Sequence, residues 1–121
     1  MVGTNNLAIS VKFYDELLQT IGLNKVEEYE REIGYAPSSR IVEFWVCTPY
    51  NKKPATIGNG SMVAFKVENI EIVDLFHSTA LRLGAKNEGN PGARPQNGDT
   101  YYAYCRDLDG NKLCAYSFLK K

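Results

Sequence analysis

The stretch DLDGNKLCAY, residues 107–116, reads as the tip of a hairpin and the strand that returns from it. Asp107, Asp109, Gly110 and Asn111 supply turn chemistry, and Lys112 to Tyr116 continue as a strand. TYYAYCRD, residues 100–107, enters the same turn, so the chain finishes on two adjacent strands. Upstream, residues 87–99, NEGNPGARPQNGD, hold three glycines and two prolines and read as a long polar loop suited to binding or to a lid. NIEIVDLFHSTALRLG, residues 69–84, is a helix with Asn69 as its cap and Gly84 as its stop. SMVAFKVE, residues 61–68, alternates as a strand.

The first half has the same order. MVGT is the tail of a first strand. NNLAISVKFYDELLQTIGL is a helix capped by Asn5 or Asn6 and stopped at Gly22. NKVEEYERE and GYAPSS are short polar strands, and RIVEFWVCTP, residues 40–49, is a firm one that Pro49 closes. The loop at 50–60 separates the halves. Two βαβββ modules, about 1–57 and 58–121, thus repeat a plan within one domain of 121 residues. The fold class is α+β: a curled mixed sheet shaped as a half-cup, with helices on its outer face.

Alternation gives each strand two addresses. Val42, Phe44 and Val46, Val63, Phe65 and Val67, and Leu113 and Ala115 are smoothly apolar and should face the helices. Glu43, Trp45 and Cys47, Met62, Ala64 and Lys66, and Lys112, Cys114, Tyr116 and Phe118 should face the cup. Those sets mix polar, aromatic and sulfur-bearing groups, as ligand cavities do.

Charge narrows the partners. Fourteen basic and fourteen acidic residues cancel, which argues against nucleic acid or an anionic membrane. The Lys120-Lys121 pair reads as a solvated tail. Three cysteines without CxxC spacing suit free thiols and a cytoplasmic protein. No signal peptide or membrane-spanning stretch is legible.

GTNNLAISVKFYDELLQTIGL (3–23), GNGSMVAFKVENIEIVDLFHSTALRLGA (58–85) and YYAYCRDLDGNKLCAY (101–116) together resemble the vicinal oxygen chelate superfamily, the glyoxalase/bleomycin resistance/extradiol dioxygenase group. The FY within the first helix, the GNGSMVAF strand entry and the RDLDGN hairpin carry the likeness. It implies the paired-module half-cup and a homodimer. In metal-dependent members a divalent cation is held by a residue on the first strand, a second after the central loop and a Glu on the last strand. By motif the second position falls on Met62 and the Glu on Cys114. The first falls at or just before Met1, because family first strands begin a few residues earlier. Hard or borderline cations prefer carboxylate oxygen or imidazole nitrogen, and a thioether and a thiol supply neither, so no metal site and no cofactor are expected. A soft copper(I) or zinc site on Met62 and Cys114 would lack a visible third ligand.

The remaining candidates are weighed on the residues alone. Cys114 has no histidine to activate it and reads as a small wall residue of the cup. His77 lies within the second helix, on an outer element, and is set aside as a ligand. Glu43 is the best acid/base candidate, beside Trp45; its plainer reading is a solvated carboxylate or a partner of Arg40 or Lys66. Trp45, Tyr101, Tyr116 and Phe118 could form an aromatic wall for a planar ligand or simply pack the sheet. Arg94 and Gln96 could reach over the cup mouth from their loop. The expected function is small-molecule binding, or catalysis without metal, using Trp45, Met62, Tyr101, Cys114, Tyr116 and Arg94. The alternatives are a metal-dependent lyase or dioxygenase of the superfamily, and a dimeric domain without ligand.

Overall fold

The structure is a computed structural model that describes residues 1–38 and 41–119. Arg40, offered above as a partner for Glu43, the Ser39 that ends GYAPSS and the Lys120-Lys121 tail lie outside the described residues.

The first module runs β1 (Val2–Gly3), α1 (Leu7–Gln19), β2 (Asn24–Glu28), β3 (Glu32–Ala36) and β4 (Phe44–Cys47). The second repeats it with β5 (Val63–Lys66), α2 (Ile70–Arg82), β6 (Lys86–Ala93), β7 (Thr100–Arg106) and β8 (Lys112–Phe118). Each module makes one four-stranded mixed sheet, ordered β1-β4-β3-β2 and β5-β8-β7-β6. In both, the first strand pairs parallel to the last and the other pairings are antiparallel. The two sheets have separate hydrogen-bond ladders, so the half-cup is built from two halves.

Both helices start as their sequences imply. The Asn6 side chain accepts from the Ile9 N–H at 3.1 Å, and Asn69 from that of Ile72 at 3.0 Å. Gly22 and Gly84 follow the helices at φ +81° and +105°, a conformation that other residues adopt only with strain. The helices bury Phe13, Tyr14, Leu17 and Leu18 from α1 and Val73, Phe76 and Ala80 from α2. Phe44, Val46, Leu113 and Ala115 meet them in one core, and a Phe44–Phe65 edge contact at 5.3 Å spans the modules. Each large side chain fully removed from water there contributes about 2 kcal/mol. Among the described residues, no helix is long and apolar enough to cross a membrane.

Two sequence expectations are corrected. Residues 86–93 form the edge strand β6 rather than the start of a loop. Its register slips near Asn87–Gly89 and again before Gly92, and bulges at a sheet edge are where glycine and proline are tolerated. Only the turn after Arg94 remains loop. β4 begins at Phe44 rather than at Arg40, so alternation does not extend back to Val42. Val42 does not face the helices. Its methyls lie where a side chain on Gly34 would stand, on the same side as the Trp45 ring.

The hairpin at residues 107–111 also joins the modules. Asp107 is buried, and its Oδ1 accepts the backbone N–H groups of Asp109 and Asn111 at 2.9 and 2.8 Å. Its Oδ2 accepts the Tyr14 hydroxyl and the Asn111 side-chain amide. That amide also donates to the Gly3 carbonyl at 2.8 Å, and the Asn5 N–H donates to Asp109 at 2.9 Å. Burial and then the Asp107 charge push the Tyr14 hydroxyl well above its usual range, so it remains a donor. The FY and RDLDGN motifs are thus two ends of one buried contact.

Candidate functional site

The concave surface follows from strand register. In the second module Cys114 pairs with Ala64 on one side and Tyr104 on the other, and Tyr116 pairs with Lys66 and Tyr102. Leu113 and Ala115 belong to the core, so alternation turns Lys112, Cys114 and Tyr116 to the face away from the helices. On that face Tyr104, Tyr102 and Tyr116 form a row. Successive ring centroids are 5.9 Å apart, with planes 10° and 30° from parallel, and Phe118 continues it edge-on at 6.1 Å.

Three cations stand against this row. The Arg94 guanidinium is 5.0 Å and the Lys112 ammonium 5.2 Å from the Tyr104 centroid, while Lys66 is 5.5 Å from Phe118. Arg94 is fixed by its donors to the Tyr102 carbonyl at 2.9 Å and the Asn90 carbonyl at 2.7 Å. Gly89, opposite Tyr104, makes the approach possible: an added Cβ would stand 2.8 Å from the ring and 3.1 Å from Arg94.

The first module presents a different surface. Trp45 lies over Gly34, where an added Cβ would meet the indole at 3.0 Å, and stacks with Tyr29 at 6.3 Å. Beside it a groove of about 810 Å³ is lined by Met1, Tyr29, Arg31, Glu32, Cys47 and Tyr50, among others.

The structure divides the expected site residues. It brings Arg94, Cys114 and Tyr116 together in the second module. Trp45 stands in the other half. Tyr101 does not face the cup: it lies among the core's partly buried residues, and its hydroxyl donates to Asp74 of α2 at 2.8 Å. The reason is parity, since Tyr101 pairs with Ser117 while Tyr102 pairs with Tyr116. Glu43 is exposed ahead of β4 and makes no ion pair with Lys66 among the described residues. It therefore lacks the fixed position that a general base needs. Met62 is 47% exposed and lines a separate recess with Met1, Ser61 and Asn111. Gln96 is exposed in its turn. His77 is more enclosed than its outer position suggests, with Nε2 3.0 Å from the Asn87 side-chain oxygen.

Alternation puts Lys112 on the cup face, but the sequence reading does not include Tyr102 and Tyr104 there. The signal was available: the Asp107–Asn111 turn sets the hairpin register, which puts Tyr102 and Tyr104 on the face of Tyr116 and Cys114.

The donor set does not fit a divalent metal. Cys114 has no exposed surface, and burial pushes its thiol up to about 11 against the opposing pull of Arg94, the Ala103 backbone N–H and Lys112. A protonated, enclosed thiol and an exposed thioether offer neither oxygen nor imidazole nitrogen. No group of three or more His, Cys, Asp or Glu among the described residues is placed to hold a metal ion.

No family model matches this sequence, and no curated protein does. Solved structures do. A glyoxalase/bleomycin resistance protein from Albidiferax ferrireducens T118 is 42% identical, with a TM-score of 0.85 over 97% of this chain and 93% of its own. A glyoxalase/bleomycin resistance protein/dioxygenase family enzyme from Burkholderia phytofirmans PsJN is 17% identical, at TM-score 0.70 over 98% and 94%. Lactoylglutathione lyase from Agrobacterium tumefaciens is 20% identical, at TM-score 0.66 over 96% and 88%. The last two are likenesses of fold.

Proposed function

The chain belongs to the glyoxalase/bleomycin resistance protein family, and from that premise we propose that it binds a small organic molecule on its concave face without a divalent metal. The observation that carries this reading is the sealed, protonated Cys114 where the family places a carboxylate ligand. The tyrosine row supports it, because a half-exposed aromatic surface backed by a rigid sheet suits a compact ligand better than a solvated exterior. Three free thiols fit a cytoplasmic setting, which belongs to the proposal together with the homodimer that the family likeness implies.

The test is a thermal-shift panel of anionic, neutral and cationic organic compounds, run with EDTA and with added zinc, nickel or manganese. A compound class that raises Tm in EDTA supports the reading. Stabilisation that appears only with a divalent ion contradicts it and favours a metal-dependent lyase or dioxygenase.

A further inference from the structure

We propose that the second module's half of the concave face takes a planar organic anion, such as an aromatic carboxylate. Its ring would lie on the Tyr104–Tyr102–Tyr116 row, and its acid group would face Arg94 and Lys112. The assignment rests on the reading that this face binds a small organic ligand, and it adds the ligand's charge and shape.

Charge is the first argument. Arg94 and Lys112 converge on one ring, at 5.0 and 5.2 Å from the Tyr104 centroid. Neither has a carboxylate partner among the described residues, and nor does Lys66. Glu88, an acid of β6, is ion-paired to Arg106 at 2.9 Å; Lys112 acts on its charge only from beyond ion-pair distance. The hydrogen bonds of Arg94 go to neutral carbonyls, which fix the guanidinium without cancelling its charge. Two like charges near one ring repel each other, and an anion bound near both would offset that repulsion.

The tyrosine hydroxyls supply a second, independent argument. Tyr14, Tyr29, Tyr35 and Tyr101 each donate to a carboxylate, on Asp107, Glu27, Asp15 and Asp74 respectively. Tyr102, Tyr104 and Tyr116, like the fully exposed Tyr50, have no hydroxyl partner among the described residues, so three polar tips on one face are open to water or to an occupant. The row contributes aromatic surface of its own: its three rings are near-parallel neighbours with centroids 5.9 Å apart. A planar ligand set against them gives up little conformational freedom, and the pre-fixed Arg94 lowers the ordering cost further.

The experiment is calorimetric titration at low ionic strength with 2-naphthoate and its neutral isostere 2-naphthamide. Naphthoate is expected to bind at least tenfold more tightly. Lys112→Met keeps the aliphatic stem and should weaken naphthoate about tenfold while leaving naphthamide unchanged. Lys66→Met, farther along the row, should have a smaller effect in the same direction, and it gives a second reading should Lys112→Met fold poorly. Lys53→Met, on the loop between modules, should change neither. Equal affinity for the two probes, or naphthoate binding unmoved by both row variants, would overturn the anion assignment. If neither probe binds while neutral or cationic compounds raise Tm in EDTA, the anion assignment falls and the small-molecule reading stands. If no compound of any class binds, both fall.

Discussion

In the first module Trp45 of β4 reaches across Gly34 of β3; in the second, Tyr104 of β7 reaches across Gly89 of β6. The same plan has thus placed its large ring one strand farther out. Charge differs as well. Glu32 lies two residues from the Gly34 that pairs with Trp45, whereas Arg94 and Lys112 flank Tyr104. One framework sits below both halves: capped helices, glycine stops and the Asp107 cluster. The difference teaches that the framework fixes where side chains point, while the concave chemistry of each half varies independently. A neutral chain can therefore carry a basic aromatic platform on one half of its cup.

The largest effect is expected where the halves are tied together. Asp107→Ala leaves the Tyr14 hydroxyl, the Asn111 amide and two backbone N–H groups without their acceptor. It should cost about 3 kcal/mol in urea unfolding, and the two halves should suffer together. The glycines come next and should behave alike. Gly34→Ala would bring a methyl to 2.7 Å from Val42, and Gly89→Ala to 2.8 Å from Tyr104. Each should cost about 2 kcal/mol, but only Gly89→Ala should also displace the tyrosine row and weaken ligand binding. A loss of binding from Gly34→Ala alone would put the site in the wrong half.

The thiols sharpen the contrast at high pH. Burial raises Cys105 to about 12 and Cys114 to about 11; it also raises Cys47, which is half-exposed in the first module. A raised folded-state value means that the folded chain keeps protons the unfolded chain has lost. The stabilisation is complete below the unfolded thiol value of about 8.5. Stability should then fall as pH rises from about 8.5 toward 11–12, by on the order of 1 kcal/mol per thiol for each pH unit. Iodoacetamide followed by mass spectrometry should label Cys47 first in the folded protein and reach Cys105 and Cys114 only on unfolding.

The smallest effect separates tyrosines by role. Tyr35→Phe removes a 2.9 Å bond to Asp15 and should cost about 1 kcal/mol. Tyr116→Phe removes a hydroxyl with no partner among the described residues, so stability should change by less than about 0.5 kcal/mol.

The sequence made the framework legible because its signals are local. Asn6, Asn69, Gly22 and Gly84 announce helix ends within one turn, and the 107–111 turn announces its hairpin. β6 was hidden because its glycines and proline are loop-like by composition, and an edge position with bulges absorbs them. The helix-facing position of Tyr101 and the cup-facing row of Tyr102 and Tyr104 depended on parity between β7 and β8, which apolar content alone does not set. That Cys114 turns away from the core could be read from the apolar Leu113 and Ala115 beside it. Its complete enclosure could not, because that depends on Tyr104 from the neighbouring strand and on Arg94 beyond it.

Elemental analysis of protein purified without chelator, combined with ligand titration before and after EDTA dialysis, tests the central claim most directly. Metal should be well below one equivalent per chain, and the affinity of the best-binding compound should be the same in both preparations. A tightly held equivalent of zinc, nickel, manganese or iron, with binding lost when it is stripped, would contradict the metal-free site.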